Sequence, residues 1–207
     1  MQGTQVFLIR HGDTGESLQG RFIGREDAPL SPLGRRQAAA LTRRPDLARC
    51  RQAVRSPMRR VRETFEIAEL DLVCRQDEDL REIDFGLWEA LSFAEIARDY
   101  PDDVEGWARL DPDFRFPQGE SLAHFRERIE KAAERIARTA ATGTDPLAVF
   151  AHGGVIRALI CHWLGLPARH YLLFDIDPAS VSAVRLFGER GVLAGLNDRS
   201  HLEGSIP

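Results

Sequence analysis

The chain has 207 residues, of which 43% are hydrophobic, 8% aromatic and 29% charged, an ordinary globular composition for which one domain, spanning 1–207, is the default. No apolar run approaches the roughly 20 residues of a membrane-spanning helix. The odd set Cys50, Cys74 and Cys161 lacks ligand spacing and so speaks against a disulfide framework or zinc knuckle. The net charge of −4 hides an asymmetry: residues 1–62 hold 13 Arg against five acidic residues, and the remainder carries 15 basic and 27 acidic ones. Those arginines lack interleaved aromatics and the whole-chain pI is 5.9, a pattern that fits the steering of a small anion better than nucleic-acid binding.

In chain order, Met1-Gln2-Gly3-Thr4 runs straight into the strand-like Val6–Ile9 without a charged leader or cleavage site, so a cytoplasmic protein is expected. Further short apolar runs at Ala53–Val54, Leu72–Cys74 and Leu147–Ala151 read as buried strands, with helical patterns between them. That alternation predicts a three-layer α/β/α sandwich with a mainly parallel central sheet. Helix starts are read at Ser31-Pro32 and Ser56-Pro57, where Ser caps free N–H groups and Pro takes the first helical position. Ser92-Phe-Ala-Glu95 is a capping-box pattern. The stretch 91–118, acidic and bearing Trp107 and Phe114, breaks the rhythm and is expected to form an excursion over the site. From Ser121 to Ala140, apolar residues recur at three- and four-residue steps and predict one long helix packed on the sheet. Gly153-Gly154 opens another helix that runs through Leu164 and stops at Gly165. Ser180–Phe187 and Gly191–Leu196 flank a Gly-Glu-Arg-Gly turn and read as an edge hairpin, adding an antiparallel edge strand.

Four positions carry chemistry. Arg10-His11-Gly12 follows the first strand, where a parallel sheet offers the crevice at its carboxyl ends. Ala151-His152-Gly153-Gly154 repeats that placement, with glycines that let a helix N-terminus approach an anion. Arg59, in Ser56-Pro57-Met58-Arg59, is expected to join Arg10 in gripping one phosphoryl group with planar, permanently charged forks. Arg60 and Arg62 are read as solvated surface. The segment Leu80–Glu89 supplies a carboxylate able to protonate a leaving oxygen and then deprotonate water, and spacing leaves Glu82, Asp84 and Glu89 all open.

Taken together these segments resemble the histidine phosphatase, or phosphoglycerate mutase-like, superfamily. The opening Arg10-His11-Gly12-Asp13-Thr14 is similar to its nucleophile motif. Gly20–Ser31 with Gly34 and Gln37-Ala38 resembles the segment that follows, which makes Arg21 and Ile23 candidate substrate contacts. Ser56-Pro57-x-Arg59, with Thr64 beyond, looks like the second phosphate-binding arginine motif. Leu80-x-Glu82-x-x-x-Gly86-x-Trp88-Glu89 resembles the acid/base segment, and His152-Gly153-Gly154-Val155-Ile156-Arg157 the second histidine motif. The resemblance implies His11 as nucleophile, Glu82 as acid/base, His152 as the third catalytic residue, and Arg10, Arg59, Ser17 and the Gly153 N–H as phosphate ligands, with no metal or cofactor. Ser17 stands where Asn is frequent, and Ala90 where Gly is usual.

The implied activity is a metal-independent phosphomonoester hydrolase acting through phosphohistidine on a small phosphorylated metabolite. Size and the Pro117–Ser121 turn and Leu196–Leu202 tail look like α-ribazole-5′-phosphate phosphatases and broad-specificity relatives. The alternatives are a phosphoglycerate mutase and a non-catalytic phospho-ligand binder. A monomer or homodimer is expected, with neither nucleic acid nor membrane as partner. Trp107, Phe114 and Phe116 are read first as packing residues, His162 as a core residue and His124 as exposed.

Overall fold

The computed structural model describes residues 3–15, 20–109, 111 and 113–203. Its strands are β1 (Thr4–Arg10), β2 (Gln52–Arg55), β3 (Val73–Gln76), β4 (Leu147–Ala151), β5 (Val181–Phe187) and β6 (Arg190–Asp198). The helices are α1 (Pro32–Ala40), α2 (Arg59–Ile67), α3 (Phe93–Asp99), α4 (Pro101–Ala108), α5 (Leu122–Ala141) and α6 (Gly153–Leu164). The six strands form one sheet in the order β3-β2-β4-β1-β5-β6. Pairings among β1 to β4 are parallel, and β5 runs antiparallel to both β1 and β6.

Alternation along the central strands explains the layers, because successive side chains of a strand point to opposite faces. Val6 and Leu8 join Val149 and Ala151 in a core with the apolar faces of α5 and α6. Phe7 and Ile9 join Ala148 and Phe150 in a second core with Leu41, Val61 and Ala68 on the other face. Both faces of β1 and β4 are thereby buried, as the continuous apolar runs require. Along α5, Phe125, Ile129, Ala132, Ala133, Ile136 and Ala140 form the buried stripe. Each large member contributes about 1.5–3 kcal/mol through burial.

Two local readings are corrected. The run Leu72–Cys74 is not a buried strand: β3 is the sheet edge, and Val73 is 73% exposed. Ser56 does not cap a helix, because its N–H extends the β2–β4 pairing to Phe150 O and its side chain turns into the protein. Helix α2 therefore starts two residues later than Pro57 suggested, at Arg59, with Met58 as a cap that makes no side-chain bond. The tail forms the expected edge hairpin, with β6 outermost and β5 between it and β1.

The 91–118 stretch holds α3, entered through the Ser92/Glu95 capping box, and α4. It is anchored on Trp88, which is fully buried and meets the rings of Tyr100, Trp107, Phe114 and Phe116. Where the chain enters it, Ala90 adopts φ +60°, with its N–H bonded to Phe22 O at 2.8 Å and its carbonyl accepting from Arg21. An L-residue in that left-handed region costs about 1–2 kcal/mol. Ala90→Gly is therefore expected to stabilise the fold by about 1 kcal/mol after the entropy lost by glycine, read as a higher urea midpoint with an unchanged m-value.

Candidate active site

The sheet's register assembles the site. Arg10 pairs with Ala151 and Arg55 with Phe150, so the residues that follow, His11, His152 and Ser56, emerge side by side at the carboxyl ends of three adjacent strands. Backbone bonds from His11 N to Ala151 O and from Ser56 N to Phe150 O, each 3.0 Å, hold that arrangement. The two imidazoles lie edge to face, 5.2 Å between ring centroids.

Arg60 occupies the space between them. Its guanidinium is 1% exposed, and its Nε–H lies 3.2 Å from both His11 Nε2 and His152 Nδ1. Nη1 donates to Glu26 O at 2.7 Å and Nη2 to Gly24 O at 2.9 Å. Those carbonyls are presented by a loop that Glu89 fastens, its carboxylate accepting from the N–H groups of Gly24, Arg25 and Phe85. Behind Arg60, Thr64 Oγ1 donates to Arg60 O and accepts from Gly12 N, tying α2 to the residue after the first histidine.

Arg59 is thus not a member of the site. Its guanidinium pairs with Glu63 one helical turn on, at 2.7 Å, and is 45% exposed. Because α2 begins at Arg59, one further residue turns the side chain by about 100°, so Arg60 faces the sheet end while Arg59 faces outward. The reading of Arg60 as surface is overturned by the same helical phase.

The tautomers follow from hydrogen-bond partners. His11 Nδ1–H donates to Gly12 O at 2.8 Å, leaving Nε2 as a lone pair. His152 Nδ1 accepts from Arg60, so its Nε2–H donates to Ser56 Oγ at 2.9 Å. Burial, then the charges of Arg60 and Arg10, push the His11 imidazole well below its ordinary value. Burial and Arg60 lead the same downward shift in His152. Arg60 is itself pushed down to about 10 by burial, which leaves it charged at neutral pH. Arg10 donates to Ile176 O and flanks Gly153, while its Nε is buried without a hydrogen-bond partner.

Across from His11 stands Glu82, 8% exposed. Its Oε2 accepts from Gly154 N at 2.9 Å, and Oε1 from Ile83 N at 3.1 Å. A Cβ on Gly154 would lie 2.3 Å from Glu82 Oε1 and 2.6 Å from the Tyr171 hydroxyl, so the missing side chain at 154 admits both groups. Arg128 holds the backbone of this segment, donating to the carbonyls of Asp79, Arg81 and Glu82 while making paired bonds to buried Glu120. Asp84, by contrast, caps Gly86 N, and Glu89 serves the loop beneath Arg60, which separates three carboxylates that spacing left equivalent.

These groups open into a cavity of about 640 Å³ lined by Arg10, His11, Glu82, Gly153 and Gly154 at one end. Arg21 and Ile23 also line it, Arg21 with its Nη1 bonded to Ala90 O and Glu95. Ser17 lies outside the described residues. Trp107 reaches the wall, whereas Phe116 is wholly packed in the core. His162 lines the cavity too and is only half-buried, not a core residue; His124 is exposed and pairs with Glu120. Sequence reasoning missed Arg60, His162, Tyr171 and the Ser56–His152 bond; only Arg60 had a signal, the four-residue spacing to Thr64. Among the described residues no three His, Cys, Asp or Glu side chains are grouped to hold a metal ion, and no helix is long and apolar enough to cross a membrane.

Comparison with known proteins gives the geometry a context. The chain is 30% identical over 200 residues to phosphoserine phosphatase 1 of Hydrogenobacter thermophilus, covering 96% of this chain and 94% of that one. It is 35% identical over 186 residues to the probable phosphoglycerate mutase GpmB of Klebsiella pneumoniae, covering 87% and 84%. Among solved structures, the alpha-ribazole phosphatase from Shigella flexneri superposes with a TM-score of 0.80 at 26% identity, covering 95% and 97%. The family model for the histidine phosphatase superfamily (branch 1) matches residues 6–199, and the chain belongs to that superfamily.

Proposed function

We propose that the protein is a phosphomonoester hydrolase that works through a phosphohistidine on a small phosphorylated metabolite, with α-ribazole 5′-phosphate as a candidate substrate. One observation carries this reading: the His11 imidazole, kept neutral by burial and flanking guanidinium charge, lines the same cavity as Glu82, its Nδ1–H held by Gly12 O so that Nε2 carries the lone pair. A neutral, oriented imidazole is what an attack on phosphorus requires.

In the first half-reaction the Nε2 lone pair forms the N–P bond as the P–O bond to the alcohol breaks. Protonated Glu82 gives its proton to the departing oxygen. Arg60 Nε–H, which bonds to the nucleophile's lone pair before substrate enters, passes to a phosphoryl oxygen as that pair is used. Arg10 supplies further positive charge and the Gly153 N–H a further donor, while neutral His152 holds Arg60 Nε through its Nδ1 lone pair. In the second half, Glu82 takes a proton from water as its oxygen attacks phosphorus. The N–P bond breaks, and phosphate leaves. The 91–118 stretch, with Trp107 in the cavity wall, acts as the cover that keeps bulk water from the first step. Return of the phosphoryl group to a sugar acid is the mutase alternative, and transfer from 2,3-bisphosphoglycerate to phosphoglycerate measures it directly.

Acid-quenched labelling with a phosphorylated substrate is expected to give an acid-labile adduct in the wild type that is absent in His11→Ala, with kcat falling by at least about 10⁴. A labelled His11→Ala protein would refute the scheme. Glu82→Gln is expected to slow alkyl phosphates by about 100-fold or more, and p-nitrophenyl phosphate much less, because its phenolate leaves without a proton. Orthovanadate affinity should hold in that variant, and its loss would give Glu82 a structural duty instead. Arg60→Ala should lose about 100- to 1000-fold in kcat/KM, whereas Arg59→Ala should stay within about twofold. Equal losses in the two would put the helical phase of α2 in error.

A further inference from the structure

Resting on the hydrolase reading, we propose a substrate class: the alcohol half is bulky and apolar, so the site selects phosphomonoesters of large hydrophobic or aromatic alcohols over small carboxylate-bearing ones such as phosphoserine and phosphoglycerate.

Size is the first ground. A cavity of about 640 Å³ lies in the range that accommodates a ligand of drug-like size, well beyond what a phosphoryl group with a three-carbon acid fills. The second is the lining. Beyond the phosphate end, the wall is made by the rings of Phe22 and Trp107, packed edge to face 5.7 Å apart, and by Leu122, Phe125 and Ile129 from one face of α5, with Leu172 opposite. Phe125 and Ile129 are 5% and 1% exposed, so they back the wall from the core, and the apolar surface a ligand can reach is that of Phe22, Trp107, Leu122 and Leu172.

The third ground is the state of the cations. A carboxylate on the substrate needs a guanidinium held ready for it. Arg21 is bonded to Glu95 and to Ala90 O and Arg126 pairs with Glu130 at 3.5 Å, while Arg157, its Nε on Phe174 O and its guanidinium over the Tyr171 ring, adds its charge beside Arg10 at the phosphate end. Asp13 and Glu130 also line the cavity, and their charge opposes a second carboxylate. A site of this kind gains affinity by removing apolar surface from water, and a buried methylene corresponds to about a fourfold gain in binding.

The test is calorimetric titration of the wild-type protein with ethyl-, butyl- and hexylphosphonic acid and with O-phospho-L-serine. The C–P bond of the phosphonates is not hydrolysed, so affinity is read apart from turnover. Affinity is expected to climb by about threefold per methylene, with phosphoserine bound more weakly than butylphosphonate. A flat series, or phosphoserine binding more tightly than hexylphosphonate, overturns the proposal. Leu122→Arg, which places a free guanidinium in the wall, is expected to raise phosphoserine affinity and lower that of hexylphosphonate; an unchanged ratio in the folded variant counts against this location for the alcohol. The two readings fail separately. A climbing series without any labelled histidine leaves the pocket and removes the hydrolase, and labelled histidine with a flat series does the reverse.

Discussion

A single buried guanidinium organises the catalytic end of this protein. Taking the Arg60 charge out of water is expensive, and it is tolerated because its Nε, Nη1 and Nη2 all donate to carbonyls or imidazole lone pairs. The carboxylates of Glu82 and Glu89 act on it from a distance without forming a salt bridge. The charge therefore remains uncancelled by direct contact with a carboxylate. The same arrangement holds both histidines neutral, and on the proposed mechanism the cation that attracts phosphate also keeps the His11 lone pair free of a proton.

Support for that guanidinium comes from distant parts of the chain. Glu89 shapes the loop that presents Gly24 and Glu26 carbonyls, Thr64 fixes the start of α2 to Gly12, and Ser56 pins the second imidazole. Arg128 does equivalent work for Glu82 by binding the three carbonyls around it. His11 and Glu82 thus sit on supports of their own, one held from α2 and the other from α5, and both line the cavity. A catalytic geometry held this way is preorganised by hydrogen bonds rather than by the substrate.

Much of this was legible in the amino-acid order. The apolar runs gave the strands because buried parallel strands need both faces apolar, and the two histidines were legible because each ends such a run. Arg59 was mistaken for Arg60 because a Ser-Pro pair ordinarily opens a helix, and that assumption sets the phase of every side chain after it. Here Ser56 is taken by His152, the helix begins later, and the phase shifts. Glu82, Asp84 and Glu89 were inseparable by spacing, since what distinguishes them is the partner each meets: Gly154 N, Gly86 N and the Gly24 loop. His162 and Tyr171 gave no signal, as a cavity wall built from several elements leaves no local pattern.

The place of β1 in the sheet has a consequence for how the molecule comes together. Its neighbours are β4 and β5, so that Val6 pairs with Leu147 on one side and with Val184 on the other, and His11 O is met by Ala179 N. Loop closures of that span are slow to form. β1, made before the five strands it shares the sheet with, must wait, unpaired and almost wholly apolar, until β4 and β5 arrive. Chemical competence is therefore among the final properties the nascent polypeptide acquires, and a ribosome stalled short of β5 would release a product with its nucleophile still adrift.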